Sequence, residues 1–198
     1  PETIEVNGKD YEPGQLAEEL GIEPDDFVSI TSFSHHPFYK QFILEIPDNY
    51  SNGSYHNVPL DEMMMAIDAA LDAGYTVAWD GDVSEAGFSQ KDGIAIIPED
   101  SRRDDIFTQP SAEIEVDQEI RQANFESLKT TDDHLMHITG IAHDQNGTKY
   151  YITKNSWGKV GPHEGFIYMS EAYVRMKTIA IMVNQDAVPA AMAKKIDL

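Results

Sequence analysis

Cysteine is absent from all 198 residues. Disulfides and thiolate metal sites are therefore excluded, and cysteine usage gives no reading of the redox compartment. Basic residues are scarce: 14 lysines and arginines stand against 35 acids, for a formal charge of -21 at pH 7. Such a surface repels phosphate backbones and anionic bilayers, so neither nucleic acid nor membrane is an expected partner. Long apolar runs are missing as well. EMMMAIDAALDAG is interrupted every few residues and falls well short of the ~20 that a bilayer span needs. The opening PETIEVNGKDYEP has neither the basic nor the apolar stretch of a targeting signal. There is no internal repeat and no low-complexity tract. What remains is a chain of domain size whose hydrophobic share, 41%, is enough for a real core.

Short elements follow one another along it. PGQLAEELG, residues 13–21, predicts a helix with proline in its first turn and Gly21 as its stop. DFVSITSF (26–33) and QFILEIP (41–47) predict strands, separated by SHHPFYK. PLDEMMMAIDAALDAG predicts the clearest helix, with apolar residues at 60, 63, 64, 67 and 71 on one face, acids in the first turn and Gly74 after the last. YTVAWDGDV (75–83) predicts a strand running into an acidic loop, and residues 84–112 one long irregular excursion. A helix over 116–129 precedes four strand candidates, HLMHITGIA, TKYYITKNSW, GFIYMS and TIAIMVN, with turns at QNG and GPHEG. Strands clustered after helices predict an α+β fold with a strongly bent or barrel-like sheet.

In DDHLMHITG, strand alternation sends His134 and His137 to opposite faces. His134, beside Asp132 and Asp133 at the strand's start, is placed to reach a cleft; His137 is mid-strand. Either histidine alone reads first as a hydrogen-bonded structural residue. About twenty residues further on comes KNSWG, where Asn155 has no proton to exchange near neutral pH. Together the two motifs resemble those of the papain-like cysteine peptidases, whose histidine lies in a D-H-A-V-x-x-x-G-like strand and whose asparagine lies in K-N-S-W-G. Asp133-His134-Leu135-Met136 with Gly140 fits the first motif. Lys154-Asn155-Ser156-Trp157-Gly158 fits the second in full, and Gly165-Phe166 matches the glycine–aromatic pair that follows. Within that clan, TSFSHHPFYKQF, NVPLDEMM, GYTVAWDGDVSE and YMSEAYVRMKTIAIMVNQDAVP are similar to the bleomycin hydrolase and aminopeptidase C family, over essentially the whole chain.

The resemblance implies a papain-like α+β fold and Cys-His-Asn catalysis on peptide substrates, with no metal or cofactor. A thiolate is made at neutral pH by pairing a thiol with an imidazolium. His134 would turn one nitrogen to that sulfur and give its other N–H to the amide oxygen of Asn155, which orients the ring without titrating. Trp157 would cover this contact and keep water from it. In the family, the cysteine, the oxyanion-hole glutamine and the helix that carries the cysteine precede everything present here, and no Q-G-x-x-G-S-C-W-like segment lies upstream of His134. The expectation is the C-terminal, His/Asn-bearing part of a peptidase domain, residues 1–198, inactive alone, with the missing N-terminal half as its partner. A degenerate homologue acting as a non-catalytic binding or regulatory module is the competing expectation. The resemblance also implies a homo-hexamer when complete, a cytoplasmic location, and a C-terminal arm, residues 187–198, lying in the cleft. There the carboxylate of Leu198 would anchor a substrate's ammonium group; a frayed terminus is the other reading.

Trp79, Asp80 and Asp82 either line the substrate cleft or belong to a solvated acidic loop. DGDVSE (80–85) opens like a calcium loop, but Glu85 stands where glycine is needed and Lys91 where glutamate is needed. His35 and His36, as neighbours on a strand, point to opposite sides and are assigned structural or surface roles, not metal binding. The methionines of EMMM belong to their helix's apolar face.

Overall fold

The computed structural model describes residues 2–198. A small hairpin comes first, in which β1 (Ile4–Val6) pairs with β2 (Lys9–Tyr11) across Asn7-Gly8. Both turn residues have positive φ, 52° and 79°, the combination that a tight turn between twisted strands demands. Hydrophobic periodicity marks no strand here; the Asn-Gly pair is the signal. α1 (Pro13–Leu20) follows where expected, with Gly21 in the left-handed region as its stop.

Ten strands form a single sheet: β3 (Phe27–Thr31), β4 (Lys40–Ile43), β5 (Ser54–Asn57), β6 (Val77–Gly81), β7 (Phe88–Ser89), β8 (Ile94–Ala95), β9 (His134–His143), β10 (Lys149–Lys154), β11 (Phe166–Ser170) and β12 (Thr178–Asn184). Across the sheet the order is β4-β5-β3-β12-β6-β9-β10-β11-β8-β7. Neighbours are antiparallel except β3–β5 and β8–β11, which are parallel. The end strands β4 and β7 do not pair with each other, so the sheet does not close into a complete barrel; the α+β architecture with one large sheet is the one the sequence pattern predicts. Four further helices are α2 (Leu60–Asp72), α3 (Gln118–Glu126), α4 (Glu171–Lys177) and α5 (Ala190–Lys195). None of the described helices is long and apolar enough to cross a membrane.

The core follows from two periodicities. Leu60, Met63, Met64, Ala66, Ile67 and Ala70 of α2 are buried at helical spacing. They join alternate residues of the central strands: Val28 and Ile30, Val77 and Trp79, Met136 and Ile138, Ile181 and Val183. A second, smaller cluster holds Phe33, Leu44, Ile179 and Ala180, with Phe125 of α3 packed against it. Residues 187–198 are not a free arm. Val188, Met192 and Ile196 are buried in the main core and tie α5 down.

Three local differences from the sequence patterns have physical causes. The segment 84–112 carries β7 and β8, because Tyr168 and Met169 of β11 offer an edge to Ile94 and Ala95. β5 is SYHN, too polar to alternate, and is recruited by pairing on both sides. α4 interrupts the two last strands where Ser170 caps it, its hydroxyl accepting from the Tyr173 N–H at 3.1 Å.

Candidate active site

β9 and β10 run antiparallel, with Lys154 opposite His137 after a register shift at Ile152/Thr153. His134 begins β9 and sits opposite Gly81 of β6. Asn155 is the first residue past β10, held by its backbone N–H to Gly165 O at 3.0 Å. Gly165 needs to be glycine: φ is +91°, and a Cβ would fall 2.1 Å from Gly158 O. The strand ends thus bring two residues 21 apart in sequence into side-chain contact. His134 Nε2 and Asn155 Oδ1 are 2.8 Å apart.

The hydrogen bonds around Asn155 fix which atom is which. The Ser156 backbone N–H, a donor only, points at Oδ1 from 2.7 Å, so that atom is the oxygen and His134 must donate its Nε2–H to it. Nδ1 of His134 is then the basic nitrogen, and among the described residues it has no hydrogen-bond partner. Asn155 itself is 2% exposed, so its end of the bond is shielded from water, which strengthens it. Its Nδ2 donates to Gln90 Oε1 at 2.9 Å. The ring centroid of Trp157 lies 5.0 Å from that of His134, with Phe88 set edge-on to the indole at 6.2 Å. Trp157 is 49% exposed; it stands beside the imidazole and leaves its own far side to solvent. Gln90 and Phe88 come from the segment read as irregular, and no motif marks them.

A cleft of ≈570 Å³ opens beside His134, lined also by Asp48, Tyr55, Asp80, Asp132 and Asp133. Burial, then the hydrogen bond and charge of Asp132, push the Asp80 carboxyl up to about 8. Asp132 is raised too, first by burial. Both carboxyls are thus pushed toward their neutral form, and Asp48 and Asp133 line the same cleft.

Strand alternation separates residues that the sequence placed together. Asp80 faces the cleft. Its neighbour Trp79 points the other way, fully buried against α2, with Nε1–H donating to Thr178 Oγ1 at 2.7 Å. Asp82 is buried, not cleft-lining. Its carboxylate accepts from the N–H groups of Ser84 (2.8 Å) and Thr131 (3.0 Å) and lies 3.6 Å from the buried Lys177 ammonium. Leu198 is elsewhere, in a hollow with Tyr39, Gln41 and His56 on the β4–β5 side, because α5 is anchored in the core there. The structure therefore does not bring Leu198 to His134.

His35 and His36 lie in a turn between β3 and β4, not on a strand, and so do not diverge. Both Nε2 atoms converge on Glu45, at 3.4 and 2.8 Å. The three ligand-type atoms lie within 4.8 Å of one another, but Gln122 sets a different chemistry. Its Oε1 accepts from the Ser34 N–H at 2.7 Å, so its Nε2 donates to His35 Nδ1 at 3.0 Å. That leaves the His35 proton on Nε2, facing the carboxylate where a metal ion would need a lone pair.

Residues 9–198 match the Peptidase C1-like family. Aminopeptidase C of Lactobacillus helveticus is 27% identical over 197 residues, 96% of this chain and 42% of that protein. Aminopeptidase C of Streptococcus thermophilus is 28% identical over 180 residues, 86% of this chain and 38% of that protein. In three dimensions the chain is similar to the crystal structure of PepW from Lactobacillus rhamnosis HN001, with a TM-score of 0.72 at 18% identity, covering 96% of this chain and 42% of the other. The chain thus spans less than half the length of these relatives. A match over nearly every residue, on a mixed sheet that brings His134 and Asn155 together, has one consequence: the chain belongs to the Peptidase C1-like family of cysteine peptidases.

Proposed function

We propose that the chain supplies the histidine–asparagine part of a cysteine aminopeptidase whose nucleophile comes from a Cys-bearing segment outside these 198 residues. The observation that carries this reading is the His134–Asn155 pair, with Nε2–H donated at 2.8 Å and Nδ1 left without a partner. Asn155 holds the ring and stabilises the imidazolium by its amide dipole. Nδ1 takes the proton of an incoming thiol, the thiolate attacks the peptide carbonyl, and the imidazolium returns the proton to the leaving amine. Water then releases the acyl group from sulfur, with Nδ1 as base. The acidic cleft of Asp48, Asp80, Asp132 and Asp133 favours a substrate with a free ammonium group, and the relatives' names, aminopeptidase C, agree with that.

The absence of cysteine equally supports a second reading, a degenerate peptidase that binds peptides without cutting them. The experiment that separates the two uses the polypeptide encoded upstream of Pro1. Co-expressed with a Cys-bearing upstream segment, the chain should hydrolyse aminoacyl-aminomethylcoumarin substrates, and alone it should not. Turnover by the 198 residues alone, or an upstream region without cysteine, sinks the first reading. Assembly of the complete enzyme as a homo-hexamer is part of the same proposal, and light scattering of the co-expressed protein tests it.

A further inference from the structure

The amide of Asn155 has two ends. One, Oδ1, orients His134; the other, Nδ2, donates to Gln90 Oε1 at 2.9 Å. Because the Ser156 N–H identifies Oδ1 at 2.7 Å, the atom facing Nδ2 must be an acceptor, and Gln90 is therefore held oxygen-inward. Its second end makes a long contact, Nε2 to Phe166 O at 3.5 Å. The backbone beneath it is braced. Ser89 Oγ donates to Asp92 Oδ2 at 2.5 Å and accepts from the Asp92 N–H at 3.2 Å, while the Gly93 N–H reaches Ser89 O at 2.8 Å. From the other side, Gly161 comes so close that a Cβ there would lie 2.2 Å from Gln90 O. Gln90 is not among the residues that line the cleft, and its side chain bonds to Asn155 and Phe166 and not to His134.

We propose that Gln90 is a positioning residue for the His134–Asn155 pair: it accepts from Asn155 Nδ2, prevents the buried amide from turning over, and so keeps the proton of His134 on Nε2 and the lone pair on Nδ1. An amide turned over would present Nδ2 to the imidazole, favour the Nδ1–H tautomer, and remove the lone pair that a thiol proton needs. Ser156 N–H locks one end of Asn155 and Gln90 the other. The inference rests on the proposed function only for its catalytic consequence, since the tautomer is a property of this chain alone.

The test is nitrogen-15 NMR of the His134 ring in the isolated chain, comparing it with Gln90→Met, which keeps the length and loses the acceptor, and Gln90→Glu, which keeps the acceptor. The ratio of Nε2–H to Nδ1–H should fall by about fivefold or more in Gln90→Met, the shift that losing one ordinary hydrogen bond produces. It should return to near the parent value in Gln90→Glu. An unchanged ratio in Gln90→Met overturns the proposal. Should that variant not fold, the unsubstituted chain still decides. The Asn155 Nδ2 protons should exchange slowly with solvent and show contacts to the Gln90 side chain, and their absence overturns it equally. A tautomer that responds to Gln90 in a co-expressed enzyme without activity counts against the proposed function alone. Full activity with kcat unaffected by Gln90→Met counts against Gln90 alone.

Discussion

Asp80, on β6, and Asp132, just before β9, meet carboxyl to carboxyl in the cleft that His134 lines. Two such groups in contact cannot both ionise at low cost, so the pair titrates as a unit and retains a proton near neutral pH. Stability is linked to that proton. With the folded-state value of Asp80 raised to about 8 and an unfolded value of ~4, the folded chain binds more protons than the unfolded one between those limits. Its contribution to stability is therefore fully present below ~4 and is lost as pH rises through the window. Asp80→Asn removes that loss. The melting temperature of the variant minus that of the parent should grow from pH 5 to pH 8 in circular dichroism melts; a pH-independent difference contradicts the shared proton.

His134→Ala in the co-expressed enzyme should lower kcat by roughly 10²–10⁴-fold, the usual contribution of a positioned base. Asn155→Ala should cost less in rate but should leave KM nearly unchanged, because the amide orients the ring and does not touch substrate. Steady-state kinetics on one fluorogenic aminoacyl substrate separates the two, and an Asn155→Ala variant with full kcat contradicts the pairing at 2.8 Å.

Trp79→Ala should destabilise the chain by about 3–5 kcal/mol, the range for removing a fully buried large aromatic side chain. Trp79→Phe retains most of the packing and loses the indole N–H that meets Thr178 at 2.7 Å. It should cost about 1 kcal/mol. Urea denaturation reads both. A Trp79→Ala variant of parental stability contradicts the core placement.

Lys177 supplies the counter-charge for Asp82, donates to Lys129 O at 2.7 Å and is paired with Glu85. Lys177→Met leaves the buried Asp82 carboxylate, 2% exposed, without its cation. Removing one partner of a buried pair typically costs ~3–5 kcal/mol. The double variant Lys177→Met, Asp82→Asn should recover part of that loss. If the double variant is as unstable as the sum of the single ones, the two groups are not coupled.

Much of this site is legible in the sequence, and the reasons differ residue by residue. His134 and Asn155 stand at the ends of neighbouring strands, so a motif that fixes each strand end also fixes the contact. Trp79 and Asp80 are adjacent on β6; the period of two that identified the strand also forbids both from lining one cleft. Gln90 is invisible to such reasoning. It reaches Asn155 only because β8 pairs with β11, a contact between segments more than seventy residues apart that no local pattern encodes. His35 and His36 show the converse. Their turn conformation, set by Pro37 and the following Tyr39 with φ of 62°, decides their directions, and a strand-based rule does not apply. α5 begins just after Pro189, a usual helix start, but its burial through Met192 and Ile196 depends on the core it joins.

β12 lies between β3 and β6 in the sheet although it is the last strand of the chain. It is the seam: without it, β4-β5-β3 and β6-β9-β10-β11-β8-β7 share no ladder hydrogen bond. During synthesis the two partial sheets must wait for residues 178–184 to leave the ribosome before they can join, each exposing an unpaired edge meanwhile. The histidine's strand belongs to the second of these partial sheets, yet Gly81, the residue facing it, sits on the edge that only β12 closes. The strand that joins the two partial sheets is thus also the one that completes the support of His134.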